Sequence, residues 1–551
     1  TCVPAPFPAN PYDPDDFALE AVFTAPGGAK LTVPGFLLQP MATSDRGDRE
    51  LVLPVGGARF AARFRPRVPG SYSVQLVARW SGGRTVTQVL PQLVVTGEPW
   101  DDYVRVDTGD PRFFSTPGGF FWGVGLNMRS VNDVRSKACM GTKVTPDRGA
   151  LSYRGYFDRL AFAGGTATEL WLSAWNLGLE WKGDIRGFYG NGRYNQEHAW
   201  ELDRVLDDAY ARHLRINLVI YNHGQGAEGN GDAEWEHSSY NLANGGRLTR
   251  AGEFFTDPWA LAGQERLRRY LVARYADHPA ILGWKMWSEV NLTAAGGNVV
   301  PWHERALARW HALDIYHHPV TTHWCGDYHN PDRAVVALPG LDYVCIDAYH
   351  GGNLVAQLLS DSTLDPAPNQ GLSQFGKPLL VTEFGGSAMG TSQESMAAQQ
   401  SSGLWAGLVS GHATSPLLWW IEWVDQHDRW QCYRGITEFI RGEDLRGKDA
   451  HSIALAGASP AGALWVRAWQ KPERILGYVL DAQWGRNGAP EPMHQGSTVT
   501  IPALDAGHWT ITWWDVERGT AITSTAVDHA GGALNLQPPQ FQRHIAFKIG
   551  K

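Results

Sequence analysis

From residue 101 to residue 450 the chain repeats one pattern: a short apolar run, then a stretch with helical spacing, then another apolar run. Apolar runs without alternation are what strands buried on both faces look like, and parallel strands need a helical crossover between them. Eight runs qualify: 121–127, 169–173, 215–221, 282–287, 320–324, 343–349, 379–383 and 417–422. The clearest intervening helix opens at Asp257-Pro258, a capping Asp followed by Pro in the first helical position, and is expected to run to Tyr275. Eight βα repeats of this total length predict an α/β fold, a (β/α)8 barrel with enlarged loops. An open doubly wound sheet is the rival, and it would supply fewer strands.

The flanks read differently. Phe60-Ala-Ala-Arg-Phe64 and Tyr72-Ser-Val-Gln-Leu-Val-Ala-Arg-Trp80 alternate between turn signals at Pro69-Gly70 and Gly82-Gly83, which predicts a β-sandwich over residues 1–98. The barrel is assigned to 99–450. Strand-like runs return in 451–551, including Leu464-Trp-Val-Arg-Ala-Trp469 and 508–514, and predict a second β-sandwich that either binds carbohydrate or packs against the barrel. Three domains agree with 551 residues, too many for one core. The formal charge of −8 gives no support to a nucleic-acid or anionic-membrane partner, and no apolar run is long enough to span a bilayer. Five cysteines without a C-x-x-C pattern give neither a disulfide scaffold nor a zinc motif. The chain opens at Thr1 without Met, and the expectation is a processed, exported protein, secreted or periplasmic. The 25 Trp, 18 Tyr and 20 Phe either pack cores or offer flat faces on which sugar rings stack.

Two of the predicted strands end in Glu after an apolar run: Ile281-Leu-Gly-Trp-Lys-Met-Trp-Ser-Glu289 and Pro378-Leu-Leu-Val-Thr-Glu383. A carboxylate buried there is costly unless it is paired, hydrogen-bonded or functional. In a (β/α)8 barrel, strands four and seven face each other across the mouth, where catalytic groups gather. One Glu alone reads as a structural ion pair; two on facing strands read as an acid/base pair. Glycoside hydrolysis needs such a pair, one carboxyl protonated and one ionised, and the charge of one raises the pKa of the other.

A Glu ending strand four and a Glu ending strand seven resembles clan A of the glycoside hydrolases, and the surrounding text resembles its family 5-like members. The similar segments are Phe254-Phe-Thr-Asp-Pro-Trp259, Tyr275-Ala-Asp-His-Pro-Ala-Ile-Leu-Gly-Trp284, Glu169-Leu-Trp-Leu-Ser-Ala-Trp175 and Lys377-Pro-Leu-Leu-Val-Thr-Glu-Phe-Gly385. Pro66-Arg-Val-Pro-Gly-Ser-Tyr72 resembles the immunoglobulin-like domain that precedes such barrels, and Trp509–Gly519 the small β domain that follows them. The resemblance implies a TIM barrel and a retaining enzyme for a β-configured oligo- or polysaccharide bond. It makes Glu289 the acid/base and Glu383 the nucleophile, with carbohydrate as the partner and no cofactor or metal. It also implies that Tyr349 hydrogen-bonds the nucleophile. One departure is Ser288, where the clan usually has an Asn that binds the sugar 2-hydroxyl; the shorter side chain leaves that contact weaker, water-mediated or supplied from elsewhere. Another is Asp347, where relatives often carry His; it contacts substrate or salt-bridges locally.

Position in the barrel supplies the remaining candidates. Strand eight offers Trp420 as the sugar platform, with Trp419 pointing outward and Glu422 on the parity of Trp420. Other strand ends offer Asn127 and Arg129, Trp175, Asn222 and His223, and His323 and Trp324. The long loop 224–249 adds Trp235. That loop contains a formal G-x-G-x-x-G at 224–229, but no helix pattern follows, so a dinucleotide site is rejected. Cys139 and Cys432 fall in the loops after the first and last strands, which are neighbours in a closed barrel, so a disulfide between them is set against two free thiols. Three rival functions find less support in the sequence. A metal-dependent hydrolase lacks H-x-H and H-E-x-x-H spacing, a serine hydrolase lacks G-x-S-x-G, and a non-catalytic carbohydrate-binding protein would not need both carboxylates.

Overall fold

The computed structural model describes residues 1–551 except 132, 142–143, 146, 230–231, 351–354, 366, 368–370, 388 and 487. Its centre is a run of parallel strands: β1 (Gly125–Asn127), β2 (Ala167–Trp171), β3 (Arg215–Tyr221), β4 (Ile281–Trp287), β5 (Val320–Thr321, continuing as His323–Trp324), β6 (Val344–Ala348) and β7 (Leu379–Phe384). Each pairs in parallel with the next. The segment 414–418 completes the series. Leu418 bridges both Leu126 of β1 and Phe384 of β7, and the Asn127 amide donates to the Leu418 carbonyl at 3.0 Å. The hydrogen-bonded order therefore returns to its start. Every residue of β2, β4, β6 and β7 is buried, which is why these segments read as unbroken apolar runs.

Helices occupy the crossovers. The one that begins at Pro258 runs to Tyr275 as its sequence predicts, and the Asp257 carboxylate accepts from the Trp259 and Ala260 amides at 2.9 and 3.1 Å. Two expected strands need correction. The first is shorter than 121–127, because Phe121 belongs to an antiparallel hairpin with Phe114–Thr116. The eighth does not reach 422: its ladder ends at Leu418, and Ile421 already starts the helix Ile421–Gln426.

On the N-terminal side a four-stranded antiparallel sheet pairs Lys30–Pro34, Phe17–Thr24, Gly70–Trp80 and Thr85–Val95 in that order. The N-terminal region is tied to the parallel unit through Asp203, whose carboxylate takes Arg63 at 2.7 Å and the fully buried Arg274 at 2.8 Å. On the C-terminal side lie a six-stranded antiparallel sheet (His451–Ala454 to His544–Gly550) and a three-stranded one. They enclose their own core around Val479, Trp509, Ile545 and Phe547. Tyr478 of the larger sheet stacks on Trp405 of helix Gln393–Ser410 at 5.7 Å between ring centres. No described helix is long and apolar enough to cross a membrane.

All five cysteines are free, so the disulfide weighed between Cys139 and Cys432 is not formed. Cys139 is exposed on the helix Val134–Met140 beside the cleft described below. Cys432 opens the helix Cys432–Ile440 and instead receives the Ser401 hydroxyl on its Sγ at 3.9 Å.

Candidate active site

Beneath the mouth of the strand ring lies a buried polar core. Lys285 of β4 places Nζ 3.0 Å from both carboxylate oxygens of Glu169 in β2 and 3.0 Å from the Thr382 hydroxyl, next to Glu383. The Glu169 carboxylate also accepts from Trp171 Nε1 (2.9 Å), Asn217 Nδ2 (2.9 Å) and Asn127 Nδ2 (3.2 Å). A buried ion pair holds its charges only when such additional bonds satisfy it. Asn127, expected to meet substrate, is spent on this network and is fully buried.

One level above, Glu289 follows the end of β4 in a left-handed backbone conformation (φ 53°, ψ 51°), rare for a residue with a side chain and concentrated at functional sites. Its amide donates to His323 Nδ1 at 3.1 Å. Its carboxylate lies 2.7 Å from His223 Nδ1, and His223 Nε2 lies 3.7 Å from Asp232. Asp232 in turn pairs with Arg135 of the helix Val134–Met140. Opposite Glu289, Glu383 accepts the Tyr349 hydroxyl at 3.1 Å, the contact that the resemblance implies, and a longer approach from Ser288 Oγ at 3.4 Å. The Ser288 hydroxyl thus turns toward Glu383 and toward His323 Nδ1 at 3.3 Å.

Electrostatics couple these groups. Burial opposes a charged His223, but the Asp232 and Glu289 carboxylates overcome it and raise His223 to about 10. Burial pushes Glu289 up as well, yet the bond and charge of His223 prevail and hold it below the ordinary carboxyl range. Glu383 is pushed up to about 8 by burial and by the charge on Glu289, with the Lys285 cation pulling the other way. The two glutamates thus oppose one another: the charge on Glu289 favours a protonated Glu383. Asp347 is raised well above its usual value by burial and by both glutamates. It lies wholly buried with Oδ1 2.7 Å from His323 Nε2, so its surroundings are side chains of the site floor.

A cleft of about 520 Å³ opens over the two glutamates, within the usual size of a small-molecule pocket. Of the expected site residues, Arg129, Trp175, Asn222, His223, Glu289, Tyr349, Glu383 and Trp420 line it. Several differ from expectation in detail. Arg129 is buried and committed, donating to Asp133 (2.9 Å), the Trp419 carbonyl (2.7 Å) and Glu422 (3.2 Å). Glu422 is therefore the partner of Arg129 and lies in the first turn of a helix. Trp420 is almost wholly buried, its Nε1 donating to the Gly385 carbonyl at 2.5 Å. Trp419, expected to point outward, faces the cleft with its ring 5.4 Å from Trp171 and 3.8 Å below the Arg129 guanidinium. Parity failed here because the strand ends before both tryptophans. Trp235 and Trp324 are buried in the core away from the cleft, and His323 is fully buried beneath Glu289.

Sequence reasoning missed Trp171, Trp419, Asp232 and Glu234 as lining residues. Glu234, pushed up to about 7 by burial, sits in the long loop already singled out, but nothing in its neighbours marks it. Trp171 lies within the strand segment quoted for the family resemblance.

No family model matches the chain, and no curated protein matches it. Solved structures do. A "putative glycoside hydrolase" from Bacteroides vulgatus ATCC 8482 aligns over 98% of this chain and 96% of its own, at 14% identity and a TM-score of 0.58. A glycoside hydrolase family 5 protein from the same organism covers 82% of this chain and 93% of its own, at 12% identity and a TM-score of 0.49. An endo-1,4-beta-mannanase from Rhizomucor miehei covers 57% and 90%, at 15% identity and a TM-score of 0.42. The first alignment spans nearly all of both chains and shows a shared fold.

Proposed function

We propose that the chain is a retaining glycoside hydrolase that cleaves a β-configured bond in an oligo- or polysaccharide. Its catalytic domain is a (β/α)8 barrel over 99–450, flanked by β-sandwich domains at 1–98 and 451–551. The observation that carries this reading is the placing of Glu289 and Glu383, from opposite strand ends, in one tryptophan-lined cleft. Double displacement requires one carboxyl protonated and the other ionised. Glu289 gives the proton to the glycosidic oxygen while Glu383 attacks the anomeric carbon. The bond to the leaving group breaks, and a glycosyl ester forms on Glu383. Glu289, now ionised, takes a proton from water, whose oxygen attacks the same carbon and releases Glu383.

The reactive form has the proton on Glu289, whereas the unbound site lowers Glu289 and raises Glu383, so binding of a glycoside has to reverse that order. Tyr349 supports the Glu383 carboxylate through its hydroxyl. Trp419 and Trp171 offer faces to the sugar, and no cofactor enters the chemistry. The test is a panel of activated aryl β-glycosides with two variants. Glu383→Gln is expected to lose essentially all turnover. Glu289→Ala is expected to recover turnover with azide, which replaces the base of the second step. Azide rescue of the Glu383 variant alone reverses the roles, and no turnover by the parent enzyme on any glycoside refutes the reading.

A further inference from the structure

We propose that Glu289, Cys325 and Asp347 form a binding site for a thiophilic divalent cation such as Zn2+, and that an ion there switches the enzyme off. One carboxylate oxygen of each acid and the Cys325 Sγ all lie within 4.8 Å of one another. Zinc bonds of about 2.0–2.3 Å place donors roughly 3.5 Å apart around one ion, so the three side chains close by at most about 1.3 Å to take one up. They belong to successive elements of the fold. Glu289 follows β4, Cys325 follows β5 and Asp347 lies within β6, and parallel pairing sets these positions side by side. This is why the sequence gives no metal-ligand spacing: the donors meet across strands and never along one.

The backbone that carries the thiol is held in place in advance. The Cys325 amide donates to Asn291 Oδ1 at 2.8 Å, and its carbonyl accepts from Asn291 Nδ2 at 3.2 Å and Asn330 Nδ2 at 2.9 Å. Asn291 stands two residues beyond Glu289, so the same clamp fixes the acid/base loop against the cysteine. A second observation points to a ligand. Asp347 is wholly buried, and its Oδ1 has no hydrogen bond; His323 Nε2 approaches to 2.7 Å but out of alignment. Its other oxygen is satisfied by the Gly326 amide at 3.2 Å. Oδ1 of this buried acid therefore contacts His323 without a hydrogen bond, and His323 stands behind it as an outer-shell group of the kind that orients metal-ligating carboxylates. Glu289 and Cys325 are only partly buried, and Glu289 lines the cleft, which gives an ion its way in.

The donor set of one sulfur and two carboxylates favours zinc or cadmium over magnesium or calcium. A coordinating thiol gives up its proton to solvent, so uptake of the ion is accompanied by proton release. Once bound, the ion occupies the Glu289 carboxylate and leaves it nothing to donate. The binding stands apart from the glycosidase reading; the inhibition rests on it.

The test titrates the metal-free full chain with Zn2+ by calorimetry and with Co2+ by absorption, comparing the parent with Cys325→Ser and Asp347→Asn. A thiolate-to-cobalt charge-transfer band is expected in the parent and absent in Cys325→Ser. Each variant is expected to bind Zn2+ roughly tenfold or more weakly than the parent. Equal Zn2+ affinity in Cys325→Ser, or a parent without the band, overturns the site. Aryl-glycoside turnover is followed in parallel, each variant against its own zinc-free rate. Inhibition by Zn2+, reversed by chelator and lost in Cys325→Ser, supports the switch. Zn2+ bound through Cys325 without loss of turnover overturns the switch alone. Absence of turnover in the zinc-free parent counts against the glycosidase reading and leaves the metal site to the binding data.

Discussion

Replacing Lys285 with Met tests the polar core beneath the nucleophile. The side chain keeps its length, loses its charge, and leaves the Glu169 carboxylate fully buried without a cation. Breaking a buried pair by removing one partner costs about 3–5 kcal/mol, a large part of the roughly 5–15 kcal/mol by which a domain is stable. The remaining donors to Glu169 are the neutral Trp171, Asn217 and Asn127, which do not cancel a charge. Chemistry should shift as well. Glu383 acts as a carboxylate, the form present above its pKa, and Lys285 is the cation that holds that pKa down against burial and Glu289. Lys285→Met therefore moves the acid limb of kcat/KM to higher pH. In Glu169→Gln/Lys285→Met both charges are gone, so most of the stability returns and the limb moves back toward the parent. Urea unfolding followed by tryptophan fluorescence, with pH profiles of all three proteins, checks this. Lys285→Met within about 1 kcal/mol of the parent, or with an unmoved acid limb, would refute the reasoning.

Two further outcomes follow from named contacts. Asp203→Asn leaves the buried Arg274 without its anion and weakens the Arg63 tie to the N-terminal region, so a loss of about 3 kcal/mol is expected. Burial opposes its charge, but Arg274 and Arg63 hold Asp203 below the ordinary range, so its contribution is complete above about pH 4 and fades as pH falls through the lowered value. Unfolding midpoints of parent and variant should accordingly converge in acid, and a constant gap would contradict the assignment. Trp419→Ala removes the cleft-facing ring beside Trp171 and should lower kcat/KM on oligosaccharides roughly five- to tenfold, about 1 kcal/mol; an unchanged value would move the sugar platform elsewhere.

Much of this molecule is legible in its sequence because burial on both faces leaves an unmistakable text. Ile281–Trp287 and Leu379–Phe384 are apolar apart from Lys285, Thr382 and Glu383, and those exceptions are the residues with work to do. Asp257-Pro258 marked a helix start for a local reason, a carboxylate that caps two amides. Residues whose role depends on a long-range partner were less visible. Asn127, Arg129 and Glu422 were read as sugar ligands because they stand near strand ends, but they are consumed by Glu169 and by each other across the ring. The facing of Trp419 and Trp420 was misjudged because period-two parity holds only while a strand lasts, and this one stops at Leu418. Glu169 was visible only as the start of an apolar run, since Lys285 gives it meaning from more than a hundred residues away.

The central claim is that Glu383 forms a bond to the sugar and that the anomeric configuration is kept. Proton NMR of the first sugar released from an activated aryl β-glycoside, recorded before mutarotation, tests this most directly. The account predicts that the β-anomer appears first and the α-anomer only later, by equilibration. Initial release of the α-anomer would contradict it: water, not Glu383, would then be the group that attacks.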